Sequence, residues 1–379
     1  MRLFVPKELH PDETRIPLIP DHVALLVNRG AQVAVESGLG AGIGYDDDAY
    51  TAVGAEIVTD RSAELGTADM VLRLGRPPIE EVSLLKAGAI HISYLDPFTE
   101  HALQDAFMAQ GVSAIAMEML PRTTLAQKMD ALSSQANLAG YFAVILASER
   151  LDMVLPMMMT PAGTLKPARV FVIGCGVAGL QAIATAKRLG ARVDAFDTRP
   201  AVAEQVQSLG AKFVKVDLGE TGETKHGYAV ALSEDQLARQ REAMAKVIAQ
   251  SDIVITTAQL FGRPAPRIVT EEMVASMRPG SVIVDLAVDS GGNVAGSRAG
   301  EEVEVGGVRI IGLLNLPGRV ALHASQMYSA NISNLVGHFW DNEAKAFNLN
   351  LQDEILDGCC IVHQGELRSD MIRDARNGA

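Results

Sequence analysis

The sequence predicts an α/β protein of two doubly wound parallel-sheet domains joined by long helices, on three observations. The first hundred and twenty residues alternate short apolar runs with helical periodicity, the rhythm of a doubly wound sheet. The same rhythm restarts at Ala168. The chain of 379 residues also exceeds what one simple core holds.

In the first domain Leu3-Phe4-Val5, Val33-Ala34-Val35, Met70-Val71-Leu72, Ala89-Ile90-His91-Ile92 and Ser113-Ala114-Ile115-Ala116 read as buried parallel strands. Helical patterns lie between them over 20–28, 46–53, 62–65, 79–85 and 99–109. No glycine-rich turn follows the first strand, where the chain reads Pro6-Lys7-Glu8-Leu9-His10-Pro11. Met129, Leu132, Ala136, Ala139, Ala143 and Leu146 recur at helical spacing and predict a connecting helix over about 126–150. The stretch 157–164 is rich in turn residues and leads into a second domain over 151–320. Its expected strands are 168–173, 192–196, 212–214, 253–255, 281–284 and 309–311. A helix over about 321–340 then returns the chain, so the first domain is expected to comprise 1–125 and about 321–379.

Composition narrows the function. The chain is 48% hydrophobic and 21% charged, as packed globular proteins are, and its net charge of −13 disfavours a nucleic-acid surface. No apolar run reaches the roughly 18 residues of a membrane span, and the amino-terminal apolar stretch is too short for a signal peptide. Three cysteines (Cys175, Cys359, Cys360) and eight histidines show no metal-ligand spacing. A soluble, cytosolic protein without a metal or nucleic-acid partner is expected.

The strongest local signal is Gly174-Cys175-Gly176-Val177-Ala178-Gly179, between the strand ending at Ile173 and a helical pattern over 180–189. Gly174 permits a tight turn, Gly176 lets a pyrophosphate approach the backbone, and Gly179 lets helix and strand pack closely. The phosphates belong at the helix N-terminus. Asp197 lies 23 residues after Gly174, where a carboxylate accepts both ribose hydroxyls and repels a 2′-phosphate, which favours NAD over NADP. The competing reading is a Rossmann-like domain that has lost its ligand. Cys175 reads as a small filler, and Cys359 and Cys360 as structural.

Two polar segments also stand out. Residues 121–141 place Arg122, Gln127, Asp130, Ser133 and Asn137 at a strand-to-helix junction, where α/β sheets hold ligands. Asp130 and Ser133 read equally as helix-start residues, and Arg122 as a surface charge. The segment 218–232, with Gly227 and Tyr228, interrupts the β-α rhythm and reads either as a lid packing on adenine or as a solvated loop.

These segments together resemble domain I, the NAD(H)-binding part of the alpha subunit of proton-translocating NAD(P) transhydrogenase, along the whole chain. The likeness is densest at 116–122, 132–141, 157–163 and 177–190, and continues at 255–258, 262–266 and 280–293. The resemblance implies that Arg122, Asp130 and Ser133 hold the nicotinamide and that Gln127 reaches the incoming NADP(H). It places coenzyme contacts on Val177, Ala178 and Asp197-Thr198-Arg199, a mobile loop on Gly227 and Tyr228, and further contacts on Gln240 and Thr257-Ala258-Gln259. Thr123-Thr124-Leu125 departs from the family, which carries a second basic residue there. The implied activity is Re/Si-specific hydride transfer from NADH on this chain to NADP+ on a partner domain, coupled to proton translocation. Implied partners are the NADP(H)-binding and membrane domains and a second copy of the chain, with the assembly on the inner face of the plasma membrane.

Alanine dehydrogenase shares the start Pro6-Lys7-Glu8 and Arg15. The lysine and histidine that its acid–base chemistry needs fall here on Gly75 and Asp96. An amino-acid dehydrogenase with relocated acid–base groups, for instance Asp289, remains an alternative. A non-catalytic NAD-sensing module is a second.

Overall fold

Alternation of side chains across each strand builds the second domain's two cores. The computed structural model describes residues 1–217, 219 and 233–377, in two units, Met1–Gln135 with Gly318–Ala379, and Ala136–Pro317. In the second unit Val170 and Val172 face a core with Ala143, Ala182 and Ile183. Phe171 and Ile173, one residue out of phase, face another with Met244, Ile248 and Met273. Burial on both faces is why these strands read as continuous apolar runs.

Among the described residues the second unit holds a seven-stranded sheet. Its order is Lys212–Phe213, Arg192–Phe196, Arg169–Ile173, Ile253–Thr256, Val282–Asp285, Val308–Ile311 and Glu302–Val305. The chain winds outward from Arg169–Ile173 in one direction, then returns to Ile253–Thr256 on its other side. The strand order therefore reverses beside the glycine-rich turn, where α/β sheets open a crevice.

The first unit repeats this plan in an eight-stranded sheet of its described residues. Arg2–Val5 lies between Gln32–Glu36 and Met70–Leu72, with Glu56–Val58 beyond the former, and Ile90–Ser93 and Ser113–Ala116 beyond the latter. Both sheets are parallel except at an edge. Glu302–Val305 runs antiparallel to Val308–Ile311, and Cys360–His363 and Glu366–Leu367 extend the first sheet in antiparallel fashion.

Several elements differ from the sequence expectation. The edge strands Glu56–Val58, Glu302–Val305 and Glu366–Leu367 are short and each opens on a glutamate, so they lack the apolar run that marks a buried strand. The stretch expected as turns contains an exposed hairpin, Met158–Thr160 with Gly163–Leu165. Another helix, Glu234–Ile248, is opened by a capping box between Ser233 and Gln236. The long helix starts at Ala131 rather than 126, because Asp130 leaves helical geometry (ψ 89°) after the short turn Ala126–Met129. The returning helix, Ala321–His338, ends before Trp340, which enters a small strand pair with Phe347.

In the second unit Gly140 of the long helix passes the start of the helix Val177–Arg188. A Cβ on Gly140 would lie 2.1 Å from the carbonyl oxygen of Ala178, and backbone cannot yield as a flexible side chain does. In the first unit Glu118 ties neighbouring strand ends: its Oε1 accepts the N–H groups of Leu95 and Asp96, both at 2.7 Å. Asp96 sits at φ +48°, a conformation that non-glycine residues rarely adopt. Glu118 Oε2 is buried with no partner among the described residues, although the residue as a whole keeps partial exposure. Burial pushes this carboxyl up to about 7, against backbone hydrogen bonds that pull it down.

The packing at Gly140 and the buried Glu118 carboxyl set the stability expected of variants. Gly140→Ala is expected to lower stability by about 1–3 kcal/mol in urea unfolding. Gly42→Ala, whose Cβ meets nothing within 4 Å, should stay within about 0.5 kcal/mol. Glu118 binds its proton more tightly folded than unfolded, so its contribution is present below pH 4.5 and is lost as pH rises through 7. Glu118→Gln keeps the accepting oxygen and removes that loss. Its stability relative to wild type should therefore rise by about 2.5 kcal/mol between pH 5 and pH 8, read from urea midpoints.

Candidate functional site

The second unit builds its site on the turn between the strand Arg169–Ile173 and the helix Val177–Arg188. Gly174 has φ +92°, and a Cβ there would lie 2.7 Å from Thr257 Oγ1. A Cβ on Gly179 would fall 1.9 Å from the Gly174 carbonyl oxygen, so only glycine permits this close packing of helix on strand. Gly176 differs, because its missing Cβ would meet nothing within 4 Å among the described residues. It is also the helix N-cap, and among the described residues no side chain caps the first turn. Uncapped N–H groups beside an unfilled backbone approach fit a pyrophosphate. Ala178 is half-buried and Val177 exposed at this helix start. Asn137, on the long helix, reaches Gln181 of the same helix as Val177 at 3.5 Å.

Asp197 closes the adjacent strand, Arg192–Phe196, and is buried. Its Oδ2 accepts the Cys175 N–H at 2.7 Å and Arg199 Nη2 at 2.9 Å. Its Oδ1 accepts the Arg199 N–H at 2.8 Å and Arg199 Nε at 2.9 Å. The carboxylate expected to meet ribose is therefore bonded to the turn and to a neighbouring guanidinium. Thr198, between them, is half-buried. Cys175 is buried with its Sγ on the Phe196 carbonyl at 3.5 Å. Burial, then the charge of Asp197, pushes its thiol well above the ordinary range, so it fills space and does not act as a thiolate.

Across the strand-order reversal, Thr257 Oγ1 donates to the Gly174 carbonyl at 3.0 Å. The following residue is held from both sides by Asn293, whose Oδ1 accepts the Ala258 N–H at 3.0 Å and whose Nδ2 donates to the Ala258 carbonyl at 2.8 Å. Asn293 is fixed in turn by Asp285, which accepts its N–H at 3.0 Å and the Thr256 hydroxyl at 3.0 Å. Sequence reasoning did not single out Asp285 or Asn293 as site supports. Their signal was polar residues closing an apolar strand, which becomes legible only when two strand ends are adjacent. Gln259 is exposed, and Gln240 is buried on the inner face of its helix with Met244 and Ile248. Gly227 and Tyr228 lie outside the described residues.

The first unit holds the other candidates. Arg122 and Gln127 are exposed on the segment before the long helix. Asp130 caps that helix: Oδ1 accepts the Ser133 N–H at 2.9 Å and Oδ2 the Ser133 hydroxyl at 2.5 Å. The helix-start reading of this pair is thus realised, and the same bonds fix the orientation of both groups. Asn331 anchors the segment, accepting from Ser134 Oγ at 2.6 Å and donating to the Lys128 carbonyl at 2.9 Å.

The positions of the alternative chemistry are also in this unit. Gly75 has no positive φ, and a Cβ there would meet only Glu8 Oε2, at 3.4 Å, so the backbone does not demand glycine. Asp96 pairs with Arg76. Arg15 is held by Glu13 through Nε at 2.8 Å and Nη2 at 2.7 Å, and by Gln135 at 2.9 Å. Asp289 is exposed in the short turn Val288–Ser290. Among the described residues no His, Cys, Asp and Glu group has the arrangement of a metal site, and no helix is long and apolar enough to cross a membrane.

The chain matches the sequence profiles of the alanine dehydrogenase/PNT N-terminal domain over residues 4–139 and of the C-terminal domain over residues 143–370. It is 46% identical over 374 residues to the first part of the NAD(P) transhydrogenase alpha subunit of Rhodospirillum rubrum, with 97% of each chain covered. The crystal structure of transhydrogenase from Sinorhizobium meliloti is similar at a TM-score of 0.88 and 46% identity, over 97% of this chain and 100% of that one. An L-alanine dehydrogenase is similar at 0.84 and 26% identity, over 100% and 99%. The chain belongs to the alanine dehydrogenase/PNT family, among its NAD(P) transhydrogenase alpha subunits.

Proposed function

We propose that this chain is the NAD(H)-binding component of a proton-translocating NAD(P) transhydrogenase, passing hydride directly to NADP+ held by a partner domain. One observation carries the choice: Gly75 and Asp96 stand where alanine dehydrogenase needs a lysine and a histidine. Hydride exchange between two nicotinamides moves no substrate proton, so it needs neither group. The unfilled approach at Gly176 supports coenzyme binding on the same chain.

In this reading Gly174, Gly176 and the N–H groups from Val177 to Gly179 hold the pyrophosphate. Asp197 accepts the adenosine ribose, with Thr198 and Arg199 beside it. Arg122, Asp130 and Ser133 hold the nicotinamide, Asp130 and Ser133 already oriented by their mutual hydrogen bond. Gln127 reaches the incoming NADP(H). Asn137, Gln240, Thr257, Ala258, Gln259, Gly227 and Tyr228 complete the coenzyme contacts. Reduced nicotinamide supplies the hydride, and the residues contribute positioning, bringing the rings within about 3–3.5 Å.

The name of the Rhodospirillum rubrum relative makes it one portion of a divided subunit, which supports further portions that we take to be the NADP(H)-binding and membrane domains. Those domains would hold the chain at the inner face of the plasma membrane and couple the Re/Si-specific exchange to proton flow. A second copy is the expected further partner. The exposed hairpin supports it, since Met159 is 79% and Leu165 49% exposed on strands with no core of their own.

The test mixes the purified chain with a separately prepared NADP(H)-binding domain and follows NADPH formation from NADH and NADP+. Stimulated transfer is expected, with no alanine-dependent NADH formation by the chain alone. The reverse result would identify an amino-acid dehydrogenase. Binding of NADH without stimulation would identify a sensing module. In the same assay Gln127→Asn should cut hydride transfer roughly 10- to 100-fold with NADH affinity nearly unchanged. A large loss of NADH binding would contradict the role given to Gln127.

A further inference from the structure

Asp197 has no acceptor capacity left for ribose. A carboxylate offers about four lone-pair sites, and four donors occupy them: the N–H groups of Cys175 and Arg199, and Arg199 Nε and Nη2. The two backbone bonds are part of the turn itself. The two guanidinium bonds belong to a side chain that can rotate away. A ribose diol must donate two hydrogen bonds to this carboxylate, so it reaches Asp197 only where the guanidinium has left.

We propose that Arg199 sets coenzyme selectivity by competing with the ribose diol for Asp197, an inference that rests on the reading of this unit as the NAD(H) site. The competition acts in opposite directions on the two coenzymes. For NADH it reduces the fraction of binding-competent protein, and apparent affinity falls by that fraction. For NADPH the guanidinium offsets the repulsion between Asp197 and a 2′-phosphate and provides a cation to pair with it. A carboxylate that alone would exclude NADPH strongly is thereby made less selective. The pair is well placed for this, because Asp197 and Arg199 keep only 6% and 15% of their side chains exposed, and water screens the contact weakly.

Titration of the full chain and of Arg199→Ala with NADH, NADPH, AMP and 2′,3′-dideoxy-AMP tests the proposal. Arg199→Ala should bind NADH and AMP roughly 3- to 10-fold more tightly. NADPH should bind more weakly, and the gain should vanish with 2′,3′-dideoxy-AMP, which has no diol to compete. Unchanged or weaker NADH binding overturns the proposal, as does equal tightening for AMP and its dideoxy analogue or tighter NADPH binding. Should Arg199→Ala fail to fold by circular dichroism, Arg199→Gln carries the same expectation. If the wild-type chain binds neither NADH nor AMP, the coenzyme reading fails and this inference with it. Binding by wild type without the expected response in the variant rejects only the role of Arg199.

Discussion

A side chain has no room at Gly179, and much of the second unit follows from that fact. The backbone of the helix Val177–Arg188 lies against the Gly174 carbonyl, which also receives the Thr257 hydroxyl. The helix start is thus held between two strand ends that the fold brings together only where its order reverses. From the other side Gly140 admits the Ala178 carbonyl with equally little tolerance. Three backbone segments meet without side chains between them, and the uncapped helix end faces the space at Gly176. Anion binding by N–H groups depends on such close and rigid geometry, because each donor contributes modestly alone.

Behind the turn, rigidity comes from buried polar bonds. Asp285 and Asn293 together accept or donate at Thr256, Ala258, Pro266, Ala287 and Val294, so the segments after two neighbouring strands are bound into one network. A satisfied network of this kind fixes one arrangement of loops that apolar packing would leave free to slide.

In the first unit Arg73 and Arg15 are held in hydrogen-bonded ion pairs. Arg73 is fully buried against Glu81 at 2.6 Å, with Glu8 at 3.8 Å, and its carbonyl accepts the Tyr328 hydroxyl at 2.8 Å. Arg15 is similarly consumed by Glu13 and Gln135. Buried ion pairs contribute little net stability, since desolvation offsets attraction, but they hold their partners in one geometry. At Gly75 neither space nor backbone conformation requires glycine.

The order of strands and helices was legible in the residues wherever an element is buried on both faces: Met70–Leu72, Ser113–Ala116 and Arg192–Phe196 fall where the apolar runs stand. So was the glycine-rich turn, because φ and close approach restrict it to one residue type. The edge strands and the exposed hairpin were not, since a segment without a core shows no hydrophobic period. Asp130 had two readings that spacing alone left even, and its bonds to Ser133 emerged only with a backbone to carry them. Local chemistry thus determined by itself which turn is restricted to glycine and which strands form the cores. Tertiary structure decided which carboxylates are engaged and by whom, because the Asp197–Arg199 and Asp285–Asn293 contacts depend on the placement of strand ends, which no local pattern encodes.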